Sequence, residues 1–155
     1  MKGKTIGYFK NVQNIPYCKA AVDLKVGMGV ILDRENKLAK LPKDVAEAKT
    51  VVYVVSNIND KPELHLSSLT ADVNKDEFVR VDDMHTVNRL EVEISHREIN
   101  GGTNGLAKND MLVYGTDGLL VKTADASGYA LAFRVMEKTT YKGDGVLAEV
   151  VCANR

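Results

Sequence analysis

The second half of this chain repeats the pattern of its first half. At a constant offset, residues 29–32 (GVIL) correspond to residues 110–113 (DMLV), and residues 36–39 (NKLA) correspond to residues 117–120 (DGLL). In each copy an apolar run, a polar turn and a second apolar run are followed by a short spacer and an alternating strand. A duplicated β-unit of this kind is typical of a structural scaffold, and neither copy carries an evident reactive group.

The two copies, residues about 24–56 and 106–136, are expected to form equivalent β-units related by a pseudo-two-fold axis. Because side chains alternate between the faces of a strand, the apolar positions of each run predict the core. The expected core residues are Val30, Leu32, Val51, Tyr53 and Val55 in the first unit, and Leu112, Val113, Leu131, Phe133 and Val135 in the second.

Short β-branched runs separated by turn residues dominate the chain. Residues 50–55 give the strongest strand signal, and residues 78–81 and 90–94 alternate between apolar and polar. Helix formers cluster only in residues 43–48, after Pro42, and predict two helical turns at most. We therefore predict an all-β fold of about nine or ten strands, an antiparallel β-barrel or sandwich with an internal duplication of a hairpin-plus-strand unit.

Residues 1–20 are predicted to form an amino-terminal arm, and residues 21–155 a single β-domain. Glycine, asparagine and Pro16 interrupt the arm, yet it holds three of the nine aromatic residues of the chain. Apolar side chains that a short segment cannot bury by itself mark an interface with another subunit. The predicted partner-binding residues are Ile6, Tyr8, Phe9 and Tyr17. The alternative is that the segment is an edge strand of the same domain.

The composition bounds the class of protein. The 155 residues and 17.0 kDa suit one ordinary domain, and 45% hydrophobic residues suffice for a single core. Lys and Arg number 21, as do Asp and Glu, and the two signs are interspersed along a chain without tryptophan. Non-specific binding of nucleic acid needs clustered cations and stacking aromatics, so we predict no nucleic-acid partner. No signal sequence and no apolar run of about 20 residues is present, which predicts a soluble protein made in the cytoplasm, without membrane contact.

The two cysteines, Cys18 and Cys152, have neither the close spacing of a metal knuckle nor the density of a disulfide framework. Buried free thiols are the simpler interpretation. A bridge joining the two ends of the chain remains an alternative, because the termini of small domains often lie close together.

The three histidines do not form a catalytic or metal-binding pattern. Asp83 and His85 are alternate residues that would point the same way, but two ligands do not make a metal site. His65 is expected to face solvent, and His96 follows Ser95 directly, so the two point to opposite faces of a strand. We therefore predict no catalytic residue, no metal, no cofactor and no enzymatic activity.

Glycine-rich and acidic segments are also interpreted as structural. Gly27 and Gly29 precede no helix, so they lack the dipole of a phosphate-binding loop. Asp144 lies in a tight turn without the other ligands of a calcium loop, and Glu91 and Glu93 share the solvent face of an amphipathic strand.

Three segments together carry a resemblance to a known class of protein: residues 106–113 (LAKNDMLV), residues 129–135 (YALAFRV) and residues 143–150 (GDGVLAEV). With the glycine-punctuated hairpins, this pattern resembles small all-β head proteins of tailed bacteriophages, the capsid decoration or cement proteins. The resemblance implies a structural virion protein on the outer surface of the capsid. It further implies binding to the major capsid protein, stabilisation of contacts between capsid subunits, and a homo-oligomer, with a trimer favoured.

Other functions stay open at this stage. A head-completion or tail protein of the same virion would also be β-rich and oligomeric. A β-barrel enzyme would have to assemble its site from separated loops, and a carbohydrate or cell-surface binding module would commonly offer a tryptophan, which this chain lacks.

Overall fold

The computed structural model describes residues 2–3, 13–56 and 72–153, and these residues are almost entirely β. They contain eleven strands, one short α-helix and three single-turn 3₁₀ helices, at Met84–Thr86, His96–Glu98 and Tyr141–Gly143. The strands are β1 (Lys2–Gly3), β2 (Gln13–Ala20), β3 (Gly29–Asp33), β4 (Leu38–Lys40), β5 (Tyr53–Val55), β6 (Phe78–Asp83), β7 (Glu91–Ser95), β8 (Met111–Tyr114), β9 (Leu120–Thr123), β10 (Leu131–Thr139) and β11 (Gly145–Cys152). The predicted all-β class is confirmed.

The first unit is a closed five-stranded barrel with the order β2-β4-β3-β5-β6. Strands β3 and β4 form a hairpin, β5 pairs with β3, and β6 pairs with β5, all antiparallel. Closure comes from β2, which pairs antiparallel with β6 and parallel with β4, where Lys19 lies opposite Leu38. A closed barrel has no free strand edge, so this unit can contact other chains only through side chains and loops.

The second unit is a six-stranded sheet with the order β1-β7-β11-β10-β8-β9. Its hairpin is β8 and β9, β10 pairs with β8, β11 with β10, and β7 with β11. A single parallel bridge between Ile99 and Leu120 links the segment after β7 to β9. This bridge occupies the place of the parallel β2·β4 pair of the barrel.

The predicted duplication is present in both the strand order and the register. Strands β2-β6-β5-β3-β4 correspond one by one to β7-β11-β10-β8-β9. In the first unit Val30 pairs with Tyr53, and in the second Met111 pairs with Arg134; 111 minus 30 and 134 minus 53 both give 81. The third strand of each unit therefore meets its hairpin in the same register.

Each unit has its own hydrophobic core, and β5 lies between them. The barrel core includes Val30 and Val55, with Leu32 and Tyr53 partly buried against it. Alternate β5 residues face the other way, so Val54 packs in the core of the second unit. Eight of the ten predicted core residues are buried, and the other two, Leu32 and Tyr53, are half-buried.

One assignment within the predicted core needs correction. Val51 was expected in the core of the first unit, but it packs with the core of the second unit. Met84 and Val87, which follow β6, lie in the same cluster. The second core is therefore completed by residues from the first half of the chain.

Two glycines bring the units into close contact. The Tyr114 hydroxyl donates a hydrogen bond of 3.0 Å to the carbonyl oxygen of Gly27, and the Gly29 amide donates one of 2.9 Å to the carbonyl of Gly118. A Cβ atom on Gly29 would lie 2.5 Å from Cγ of Tyr114. The Tyr114 ring thus fits only because residue 29 has no side chain.

The helix α1 spans Val45–Ala48, inside the segment predicted to be helical. Asp44 caps it, since the Asp44 carboxylate accepts a hydrogen bond of 2.8 Å from the amide of Glu47. Among the described residues, no helix is long and apolar enough to cross a membrane.

Parts of the segment 1–20, the predicted arm, belong to both sheets. Strand β1 pairs with β7, Lys2 lying opposite Glu93, and β2 forms one wall of the barrel. The β2·β6 register shifts between Ile15 and Cys18. This shift is where Pro16 lies, a residue that strands tolerate at bulges. Of the segment, residues 1 and 4–12 lie outside the described residues.

Candidate functional site

Tyr17 is the one predicted partner-binding residue that the structure describes. It lies on β2, and 77% of its surface is exposed. Its neighbour Cys18 points into the barrel core, so alternation turns Tyr17 outward. The other three predicted residues, Ile6, Tyr8 and Phe9, lie outside the described residues.

A second aromatic side chain, Phe78, stands on the adjacent strand β6 and is 65% exposed. Phe78 pairs with Lys19, whose ammonium group lies 5.3 Å from the centroid of the Phe78 ring. Arg80 follows on the same side of β6, because Val79 and Val81 point into the barrel. We call Tyr17, Lys19, Phe78 and Arg80 the β2/β6 face.

The β2/β6 face holds two of the four large hydrophobic side chains that are exposed among the described residues. Aromatic side chains with a cationic neighbour are enriched at the centres of protein interfaces. Phe78 lies in the paired part of β6, opposite Lys19, whereas Tyr17 lies in the register shift of β2 between Ile15 and Cys18. Sequence reasoning missed Phe78 as a contact residue, although its alternation with Val79 and Val81 places it on the solvent side.

A cleft of about 420 Å³ opens at one end of the barrel, where β3 and β6 end and β5 begins. Its volume lies within the range of small-ligand sites. The cleft combines apolar side chains with a cation, a carboxylate, an imidazole and two hydroxyls. Its lining residues are Ile31, Leu32, Arg34, Thr50, Val52, Tyr53, Asp83 and His85.

The polar groups of this cleft form two hydrogen-bonded pairs. The Arg34 guanidinium donates to the Tyr53 hydroxyl over 2.9 Å. Asp83 Oδ1 accepts the backbone amide of His85 at 3.0 Å and lies 3.6 Å from His85 Nδ1. Tyr53 and Asp83 are directly opposite each other on β5 and β6, which brings the pairs together.

The structure places Asp83 and His85 together, but through the 3₁₀ helix Met84–Thr86 that follows β6 and not through alternation along a strand. The cleft adds Arg34 and Tyr53 to them. Within the described part of the chain, no group of three or more His, Cys, Asp or Glu side chains could hold a metal ion. Of the remaining histidines, His96 Nδ1 lies 3.2 Å from the carbonyl oxygen of Asp144, and His65 is outside the described residues.

A buried ionic pair lies apart from the cleft, at the end of β7. Glu98 is only 3% exposed, accepts the amide of Ser95 at 3.1 Å and lies 3.9 Å from the Lys142 ammonium. Burial lowers the pKa of Lys142, whereas the nearby Glu98 charge acts to raise it. Burial also raises the pKa of Tyr141 to about 12, with smaller contributions from Glu98 and Glu93. These groups hold the turn between β10 and β11 against β7.

Both cysteines are free thiols. Cys18 is buried in the barrel, where its sulfur lies 3.5 Å from the carbonyl oxygen of Val79, and burial raises its pKa. Burial also raises the pKa of Cys152, and the charge of Asp83 adds to the effect. Raised pKa values leave both thiols protonated and weakly nucleophilic at neutral pH.

Comparisons with known proteins add no relative. No model of a known protein family matches the chain, and no curated protein matches it. The chemistry of the β2/β6 face and of the cleft therefore has to be argued from this chain's own residues.

Proposed function

We propose that this protein is a structural component of a tailed-bacteriophage particle. In this proposal it binds the outer surface of the capsid and stabilises contacts between major capsid subunits. The pattern of residues 106–113, 129–135 and 143–150 supports the virion class through its resemblance to small all-β head proteins. The observation that carries a binding role is the pair of exposed rings, Tyr17 and Phe78, on one wall of the barrel.

The physical basis is the burial of these two rings by a partner. An aromatic side chain that moves from water into a packed interface contributes about 1.5–3 kcal/mol. Phe78 lies opposite Lys19 in the β2·β6 pairing, so its ring loses little backbone freedom on binding. Lys19, whose ammonium group lies beside the Phe78 ring, offers donors to carbonyl or carboxylate groups of the partner.

The proposed partner is the major capsid protein, and the proposed assembly is a homotrimer, both of which follow from the resemblance. All four of the large hydrophobic side chains that are exposed among the described residues lie in the part of the chain that runs from β2 to β6. The barrel is therefore the unit proposed to contact the capsid.

The proposal is tested by co-sedimentation of the purified protein with capsid shells, and separately with tails, of the phage that encodes it. We expect the protein to sediment with shells at a fixed stoichiometry and not with tails. Sedimentation with tails alone supports the head-completion or tail alternative. Sedimentation with neither overturns the virion assignment.

Matched variants identify the surface that binds. The double variant Tyr17→Ala/Phe78→Ala should lose at least about tenfold in affinity for shells. Val45→Ala is the control, because Val45 is 60% exposed but lies on α1, away from the β2/β6 face. If both proteins fold as the parent does and bind equally well, the β2/β6 face is not the docking surface.

A further inference from the structure

Arg34 stands exposed at the cleft. Within the described ranges its guanidinium donates to one side chain, that of Tyr53, whose hydroxyl accepts one of the five N–H groups. Among the described residues no carboxylate lies within ion-pairing distance of Arg34. A guanidinium held in place by one hydrogen bond, with its remaining donors unused, is arranged to bind an anionic group.

Asp83 limits the charge that this cleft can accept. Arg34 and Asp83 carry opposite charges in the cleft, so a dianion such as phosphate would meet stronger repulsion from the Asp83 carboxylate than a monoanion would. A carboxylate carries a single charge and is planar, which matches two parallel N–H groups of guanidinium. Within the described residues, Oδ1 of Asp83 accepts the His85 amide and Oδ2 accepts no hydrogen bond. Oδ2 can therefore accept a hydrogen bond from a donor on the same ligand.

We propose that the cleft lined by Arg34, Tyr53, Asp83 and His85 binds a carboxylate that has an ammonium or hydroxyl donor beside it. Arg34 binds the carboxylate, Tyr53 positions Arg34, and Asp83 accepts the donor. Ile31, Leu32 and Val52 add apolar surface to the lining, although Arg34 itself is exposed and the cleft is open to solvent. Such a group is found in a small amino or hydroxy acid, and in a partner protein segment where a glutamate stands next to a serine.

This site is independent of the proposed capsid contact. The cleft lies at the end of the barrel where β5 begins, whereas the β2/β6 face is formed by outward side chains of two strand bodies. Loss of ligand binding at the cleft need not affect capsid binding by the β2/β6 face. Variants of the cleft should therefore leave co-sedimentation with shells unchanged.

The test is an NMR titration of the isotope-labelled full chain, following the backbone amides of residues 31–34, 50–53 and 83–85. The probes are glycine, acetate, ethylammonium, inorganic phosphate and a capped pentapeptide in which a glutamate stands next to a serine. We expect saturable shifts confined to these amides, with dissociation constants of about millimolar for glycine or for the peptide. Acetate and ethylammonium, each carrying half of the recognised chemistry, should bind more weakly than glycine.

Variants assign the roles of the individual groups. Arg34→Gln should weaken binding by about tenfold or more, and Asp83→Asn should reduce the preference for glycine over acetate. Tyr53→Phe removes only the hydroxyl that positions Arg34 and should have a smaller effect. Arg134→Gln is the control, because Arg134 lies on β10 and pairs with Glu149.

The source of the carboxylate follows from the two main probes. Binding of glycine indicates a free small acid, and binding of the peptide alone indicates a side chain of a partner; either supports the carboxylate site. Tighter binding of phosphate than of glycine overturns the proposed ligand class. The site itself is refuted if no probe saturates at about 50 mM, or if Arg34→Gln binds as well as the parent.

Discussion

At the scale of single residues, the contact between Gly29 and Tyr114 sets how closely the two units approach. The Tyr114 ring is fully buried and lies edge-on to Phe133, with ring centroids 5.8 Å apart. The substitution Gly29→Ala would place its Cβ against Tyr114 Cγ, a part of the ring that cannot move away. We expect a loss of about 1–3 kcal/mol in the free energy of unfolding, measured by urea denaturation.

A double-mutant cycle isolates the cause of that loss. In the background Tyr114→Ala, which is itself destabilised, Gly29→Ala should cost much less, because Cγ and the ring carbons that the new Cβ meets are gone. Gly101→Ala serves for comparison: no atom lies within 4 Å of its Cβ position, so its cost comes only from a positive φ of 81°. Equal costs for Gly29→Ala in both backgrounds would contradict the steric explanation.

The sequence predicted most of the buried residues, but it missed the contacts that depend on the register between strands. Local alternation identified most of the buried positions, because burial of every second residue is a local property of a strand. The cleft was only half visible: Asp83 and His85 are close in sequence, but Arg34 and Tyr53 reach them only through the β3·β5·β6 pairing. No motif encodes a register between strands joined by a long connection.

At the scale of elements, β2 is the strand that closes the barrel. Because Pro16 and Asn14 interrupt this segment, the sequence predicted an arm. The pairing of β2 with β6, and the register shift that accommodates Pro16, leave no alternating pattern in the sequence. Within β2, Cys18 and Ala20 belong to the barrel core. A chain that lacks residues 1–20 should therefore fail to form the closed barrel, whereas a chain that lacks residues 1–12 retains β2 and should form it.

The measurement is amide hydrogen exchange of β3, β5 and β6 in the two truncated chains. We expect protection of these strands to be lost without residues 1–20 and retained without residues 1–12. Protection that survives the longer deletion would mean that the four remaining strands, in the order β4-β3-β5-β6, form a stable open sheet. In that case the first 20 residues act as an arm, as the sequence suggested, and not as an essential wall of the barrel.

At the scale of the whole molecule, the two units share a boundary that the duplication alone does not predict. A repeat predicts two similar units, each with its own core, and this much is confirmed. The sequence could not show that Val51, Val54 and Met84 from the first half complete the core of the second unit. Which face of β5 meets another sheet depends on how the units stack, and both faces of β5 are apolar in the sequence.

This shared core leads to a prediction about cooperativity: the barrel and the second sheet should unfold as one unit. Val51→Ala should lower the free energy of unfolding by roughly 1–3 kcal/mol, although Val51 comes from the first unit and packs in the second. Hydrogen exchange under native conditions should show the same loss of stability for β5 of the barrel and for β8 and β10 of the sheet.

Val30→Ala, which creates a cavity in the barrel core, is the matched variant. Its effect should spread to β8 and β10 in the same way, since Gly27 and Gly29 bond directly to the second unit. If Val30→Ala instead lowers protection in the barrel alone, the units are independent domains joined by a contact, and the boundary at Gly29 and Tyr114 transmits no stability.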